Sequence, residues 1–481
     1  MGLDMLAPKV HLHVAHLPRT HWVSIAAIFT LTWLVLPAVA SEDWPQFRGP
    51  GGQGHATATG LPLTWSETEN VAWKVPVPGR GWSSPVVLGD QVWMTTAIET
   101  AATAEESRQK LSGLKHSEAL AIAHRVSLRA ICLDKTTGKR LQDVELFRVD
   151  KPDPIHQQNS YASPTPVVEP GRVWCEFGTY GTACLDAATG EILWRRRLPL
   201  EHECGPASSP VLYKDLLVLV RDGCDQQYII ALDKHTGATA WKTDRPPIQC
   251  ADEFKKTFSS PLVVQTSAGE QMIVPGAQWV VSYEPATGKP IWQVEYGRGY
   301  SNISRPVFGH GMVYVITDFP GQQLWAIRAD GRGNVTESHV AWKETRQVAK
   351  RSSPLLVGDE LYFVSDGGVA TCLDAKTGKT HWRERIAGNY AASPVYADGR
   401  IHFFSQEGKT TVFRPGIAPA KLAENHLDGR IVASPAFVGK AIFLRTELHL
   451  YRIEKQRPLG DPRGTQGCLP DRSGAELTAA N

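Results

Sequence analysis

A proline-led strand start recurs eight times along this chain, and that recurrence limits the folds open to it more than any other feature. Pro stands after small or polar residues and before a β-rich run at Pro85 (SSPVVLGDQVWM), Pro166 (PTPVVEPGRVWC), Pro210 (SSPVLYKDLLVL) and Pro261 (SSPLVV). It returns at Pro306 (SRPVFGHGMVYV), Pro354 (SSPLLVGDELYF), Pro394 (ASPVYADGRIHF) and Pro435 (ASPAFVGKAIFL). Consecutive prolines lie 40 to 51 residues apart, except for a doubled first gap. A unit of that length holds several short strands and buries its apolar face only by stacking on a neighbour. Its 481 residues therefore need no division into two or three ordinary domains. The 42% hydrophobic content fills such a stack, and 42 Gly with 33 Pro supply its many turns.

Each unit carries a second motif. It reads ICLDKTTGKRLQ (131–142), ACLDAATGEILW (183–194), IALDKHTGATAW (230–241), VSYEPATGKPIW (281–292) and TCLDAKTGKTHW (371–382). The acid accepts backbone N–H bonds at a turn, and the Gly of Thr-Gly takes the positive φ that closes it. The Trp opens an outer strand, where a large flat ring can wedge between adjacent units. Trp194, Trp241, Trp292, Trp342 and Trp382 are assigned this docking role. The first copy has Gln142 in place of Trp, the fifth stretches its turn (ADGRGNVTESHVAW), and the seventh loses Thr-Gly.

These residues at these spacings resemble the tryptophan-docking blades of the PQQ-like (pyrroloquinoline-quinone) repeat β-propeller family. That family belongs to the quinoprotein alcohol dehydrogenase-like superfamily and includes non-catalytic relatives of the BamB type. The resemblance covers roughly residues 63–455 and implies an all-β, eight-bladed propeller, with seven blades as the alternative. The eighth unit ends after LHLYRIEK (448–455) without an outer strand. NVAWKVPV (70–77) reads as that missing strand, with Trp73 in the docking place. Pairing the two would join the chain ends and remove exposed sheet edges.

The flanks read differently. Residues 1–40 have the form of a signal peptide: the apolar run WVSIAAIFTLTWLVLP (22–37) ends in Ala38-Val39-Ala40, an A-x-A-like cleavage site. No Cys follows that site, so nothing marks a lipoprotein, and the mature chain is expected to be periplasmic or secreted, without stable membrane insertion. Residues 41–62 form an extension whose Trp44 and Phe47 are expected to strap it to the propeller. The tail, 456–481, is polar and rich in Gly and Pro, and reads as disordered.

Charge excludes one partner class. Fifty-one Lys and Arg against 49 Asp and Glu give +2, without the basic excess of a nucleic-acid binder. Eight cysteines are present, of which Cys132, Cys184 and Cys372 occupy the small first position of the Asp-Thr-Gly motif. Cys175 and Cys184 flank a tight turn, so a disulfide across that hairpin is open. No CxxC, HExxH or EF-hand pattern occurs, so no metal ligands are assigned. PQQ dehydrogenases commonly carry a vicinal Cys-Cys pair, absent here, and their calcium and catalytic carboxylates find no match.

Function in a propeller gathers where loops from outer strands feed the central channel. Those loops bring together Arg80, Trp82, His156, Asn159, Tyr161, His202, Arg298, Tyr300, Arg305, Arg351, Tyr390 and Arg430. Cations and aromatics in a concave mouth suit a small anionic ligand, a sugar or an acidic peptide segment. The doubled first gap holds TAEESRQKLSGLKHSEALAIAHR (103–125), rich in helix formers with apolar residues at Leu111, Leu114, Leu120 and Ile122, and should emerge on the same face. The resulting reading is a non-enzymatic binding platform with no catalytic residues and no cofactor. A PQQ- and calcium-dependent quinoprotein dehydrogenase is the alternative, and a carbohydrate-binding or carbohydrate-processing propeller a further one.

Overall fold

A computed structural model describes residues 43–456. Eight blade sheets follow one another in chain order, seven of four strands and one of five, beside one small two-stranded sheet. In blade 2 the strands are Val167–Glu169, Arg172–Glu176, Thr182–Asp186 and Ile192–Arg196, each antiparallel to the next. The second and third strands of the blades are almost wholly buried, whereas the outer strand alternates between half-buried and exposed positions. That is the pattern of a sheet whose centre packs between neighbours and whose outer edge meets solvent. The fold is the eight-bladed all-β propeller, not its seven-bladed alternative.

The ring closes as the sequence indicates. Val71–Pro76 pairs antiparallel with His449–Glu454, with Val75 opposite Leu450, and becomes the outer strand of blade 8. The inner strands of blades 8 and 1, Ala436–Val438 and Val86–Leu88, lie side by side. Docking explains the tryptophans. At Gly138, Gly237, Gly288 and Gly378, φ lies between +71° and +74°. A Cβ there would fall within 3 Å of Trp73, Trp194, Trp241 or Trp342 of the preceding blade. Glycine is thus required twice over, for the turn and for the ring laid on it. Trp382 stacks on Phe413 of blade 7 at 5.7 Å, while Trp292 is buried and donates to Gln271 in its own blade. Gln142 docks by hydrogen bonds instead: its amide donates to the carbonyls of Ala187 and Ala188 in the next blade's turn.

The blade 1 insert differs from expectation. Its helix covers only Ala104–Leu111, closed by a capping box between Thr103 and Glu106, and none of its residues is buried. The expected apolar face does not form, and Leu114 is exposed. The two flanking strands, Gln91–Ala101 and Ala123–Asp134, lengthen to take up the remainder. The insert does lie on the mouth face. Leu120–Ala121 pairs with Ile155–His156, and Lys115 reaches Glu253 in the loop between blades 3 and 4 at 2.9 Å. Cys175 stands opposite Ala183, and Cys184 opposite Trp174. Adjacent strand positions point to opposite faces, so this hairpin cannot carry a disulfide between them. Cys132, Cys184 and Cys372 are buried, and burial pushes each thiol up to about 12. Among the described residues no helix is long and apolar enough to cross a membrane. The signal segment, the tail and Cys468 lie outside the described residues.

Candidate functional site

The central channel is built from one repeated sequence position. The residue before each strand-opening proline is Ser or Thr in seven blades, and in six of them its hydroxyl accepts a backbone N–H from the blade before. Ser84 donates to Thr165, Thr165 to Ser209, and Ser209 to Ser260, at 2.9 to 3.0 Å. Ser353 donates to Ser393 and Ser393 to Ser434 in the same range. These contacts lace neighbouring inner strands together and leave hydroxyls facing the channel. Ser84, Thr165, Ser209, Ser260, Ser393 and Ser434 all line a cavity of about 450 Å³.

The segment from Trp44 to Thr59 closes the far end of that channel. Trp44 exchanges two backbone hydrogen bonds with Val87, and Pro45 accepts from Val168. Gln53 then accepts from Phe308, Gly54 and Ala56 pair with Tyr396, and Thr59 donates to Gly439. All these partners lie beyond the strand-opening prolines, on the side away from the mouth. Phe47 lines the cavity and forms its floor. The channel is therefore a blind cup, and the expected strap also serves as its base.

The cup's walls are polar on one side and its rim is cationic. Asp318 and Asp366 line it beside Lys350 and Arg351. The Lys350 ammonium lies 3.8 Å from Asp318 and 3.7 Å above the Phe319 ring. Arg351 donates to Asp366 at 2.7 Å. Burial pushes the Asp318 carboxyl up to about 7, against the opposing pull of Lys350. At the rim, the guanidinium groups of Arg80 and Arg430 each lie 5.4 Å from the Trp82 ring. Trp82 donates to the Gln158 carbonyl, Arg80 to the Gln157 carbonyl and Arg430 to the Gln406 side chain. These bonds fix two cations on an aromatic ring in a geometry that attracts anions. Across the mouth, Phe254, Tyr300 and Phe319 form a partly exposed aromatic ladder with centroids 4.8 and 5.5 Å apart.

Of the residues assigned to the mouth, Trp82, His156, Asn159 and Arg351 line the cup, and Arg80, Arg430 and Tyr300 stand at its rim. Burial, with Lys350 and Arg351 nearby, lowers the His156 pKa. Arg298 is exposed and outside the cavity. Four lie elsewhere. Tyr161 is buried under the loop, donating to the Asp153 carbonyl, and Tyr390 is buried beside Ser405. His202 packs over Gly178, where burial and Arg221 push its pKa down to about 3. Arg305 points away from the mouth, donating to the Phe47 carbonyl at 2.6 Å. The sequence reading missed Lys350, Asp318, Asp366, Phe319 and the hydroxyl ring. The ring had a visible signal in the repeated Ser before Pro, and Asp318 and Asp366 in the second-to-third-strand loops of blades 5 and 6.

The resemblance to quinoproteins raises a quinone with calcium as an occupant of the cup. Among the described residues no three or more His, Cys, Asp or Glu side chains converge as metal ligands. The cup's two carboxylates are already engaged by Lys350 and Arg351, and no two cysteines are adjacent in sequence. This donor set does not fit calcium.

Comparison with known proteins places the fold in a family. The family described as outer membrane protein assembly factor BamB matches residues 55–243, 126–319 and 309–415. Outer membrane protein assembly factor BamB of Legionella pneumophila (strain Paris) is 23% identical over 203 residues, 40% of this chain. The chain spans about half the length of that curated relative, 49%. Among solved structures, BamB from Moraxella catarrhalis aligns with a TM-score of 0.48 at 12% identity, covering 75% of this chain and 99% of its own. Quinohemoprotein alcohol dehydrogenase from Comamonas testosteroni aligns at 0.50 and 12% identity, over 87% of this chain and 82% of its own, a likeness of fold alone. The repeat, the closure and the family match agree, and the chain belongs to the PQQ-like repeat propellers of the family described as outer membrane protein assembly factor BamB.

Proposed function

We propose that the protein is an exported, non-enzymatic platform that holds an acidic segment of a partner protein at the mouth of the cup. The observation that carries this reading is the pair of guanidinium groups, Arg80 and Arg430, each held 5.4 Å from the Trp82 ring, with Arg351 in the same cup. Arg and Trp anchors in a partly desolvated recess have the composition of an interface hot spot. The insert adds a polar shelf beside the same mouth, tied to the loop at Gln157 by its Glu118 and Ala119 carbonyls. Membership of a family described as an assembly factor supports a protein ligand, and the A-x-A-like site at 38–40 supports export. A small anionic or sugar ligand would meet the same cations and the aromatic ladder, and is the second occupant to test.

Site-specific photocrosslinking distinguishes these. A crosslinker at the exposed position 298 on the mouth face should yield a discrete protein adduct in cells, and one at position 440, on the opposite face, should not. The double change Arg80→Ala/Arg430→Ala should lower that yield about tenfold, equivalent to ~1.4 kcal/mol. Equal adducts at both positions, or none at either, would contradict a protein-binding mouth.

A further inference from the structure

Beneath the floor of the cup the fold buries two positive charges without a negative one. Arg48 and Arg305 are 1% and 2% exposed. Arg305 stands where the other seven blades carry the ring hydroxyl, so the ring lacks that hydroxyl there, although the Arg305 backbone N–H still donates to Ser353. Its Nη1 donates to the Phe47 carbonyl and its Nη2 to the Gln46 side chain, but Nε has no partner. Arg48 donates one Nη2 hydrogen bond to the Gln53 carbonyl, and its Nε and Nη1 have none.

The two groups are neighbours. A Cβ on Gly52 would lie 2.4 Å from the Arg305 guanidinium carbon, and one on Gly54 would lie 2.7 Å from Arg48 Nη2. Those glycines are two residues apart, so their backbones are separated by no more than about 7 Å. Each side chain is laid against the same short knot of chain, which Arg48 enters at a φ of +63°. Burial lowers both pKa values to about 9, and Arg48 feels Arg305 as a further repulsion. No carboxylate contributes to either. Two buried like charges with unfilled donors cost several kcal/mol unless a counter-charge accompanies them.

We propose that a small monovalent inorganic anion, of the chloride type, binds between Arg48 and Arg305 and fixes the amino-terminal segment as the floor of the cup. Its place is distinct from the mouth: it lies on the other side of Phe47 and involves none of the rim residues. Three N–H groups, Nε and Nη1 of Arg48 and Nε of Arg305, are the donors left for it. A larger organic anion would displace Phe47 or the backbone of Gly52 and Gly54, which already touch the two guanidinium groups.

Two measurements on the intact protein test this. Crystals grown with bromide should show an anomalous peak within hydrogen-bond distance of both guanidinium groups. Water there at high bromide would overturn the proposal. In thermal unfolding at constant ionic strength, replacing gluconate by chloride from 10 to 500 mM should raise Tm by on the order of 2 °C in a saturating manner. Arg48→Met should abolish that dependence. Arg197→Ala, which removes an exposed arginine whose guanidinium lies over the Phe147 ring, should retain it. A chloride response unchanged in Arg48→Met would assign the effect to the surface and overturn the proposal. Should Arg48→Met fail to fold, the bromide peak decides alone.

Discussion

At the scale of single residues, the repeat is enforced by a few atoms in each turn. In blade 3, Asp233 Oδ1 accepts from the N–H groups of His235 and Thr236 and from the Thr236 hydroxyl, all at 2.8 to 3.1 Å. Asp233→Ala should cost about 1 kcal/mol in urea unfolding at pH 7, the typical worth of such bonds. These bonds favour the carboxylate and hold Asp134, Asp186, Asp233 and Asp374 below their ordinary value of 3.8. The unfolded chain then binds more protons below that value, so this stabilisation is present above it and lost as pH falls through the folded pKa values. Asp318 has the opposite sign. Its folded pKa is raised to about 7, so between about 4 and 7 the folded state keeps a proton that the unfolded state has released. Stability from this group falls as pH rises across that window. Asp318→Asn should therefore stabilise the protein at pH 8 relative to wild type, with a smaller difference at pH 4, read by urea denaturation at each pH. Gly378→Ala meets both a φ of +74° and Trp342 at 2.6 Å, and should cost about 2–4 kcal/mol in the same assay.

At the scale of elements, local pattern was legible and long-range direction was not. The turn acid, its glycine and the docking Trp follow from a short motif, because each contact spans only one blade boundary. The closing strand was legible for the same reason: NVAWKVPV carries a Trp at the docking place. Arg305 was read as a mouth cation because its loop feeds the channel. Its side chain turns away to meet the Phe47 carbonyl, 258 residues earlier, which no local pattern reports. Tyr161 and Tyr390 belong to the right loops but pack beneath them, since a loop's position does not fix which side chains it buries. The insert was over-read as helix because composition favours helix there, while extension of the flanking strands offered more backbone pairing. The seam between Val71–Pro76 and His449–Glu454 is held by backbone pairing and packing, by Lys74 over the Tyr451 ring and by hydrogen bonds from Gln456 to Asn70 and Val71. Trp73→Ala should cost about 3–5 kcal/mol. Hydrogen exchange in 71–76 and 449–454 should then accelerate together, ahead of 239–244 in blade 3. Uniform acceleration in all outer strands would show that the seam is not the first place to open.

At the scale of the whole molecule, the repeat makes a rigid ring, and departures from it make the site. Blade 5 gives up a ring hydroxyl for Arg305, which ties in the floor. Blade 1 gives up a short connection for the insert beside the mouth. The same ring supports quinoprotein chemistry elsewhere, since fold alone does not determine function. Here the cup presents hydroxyls, a Lys350–Asp318 pair and a cationic aromatic rim, and its carboxylates are engaged by cations. The proposed function is that this surface binds and does not oxidise. Its most direct test is to add PQQ and Ca²⁺ to the purified mature protein and follow the quinone absorbance together with dye-linked oxidation of alcohols and sugars. The account predicts no bound-quinone spectrum and no turnover above a protein-free control; reproducible turnover that is lost on chelation would contradict it.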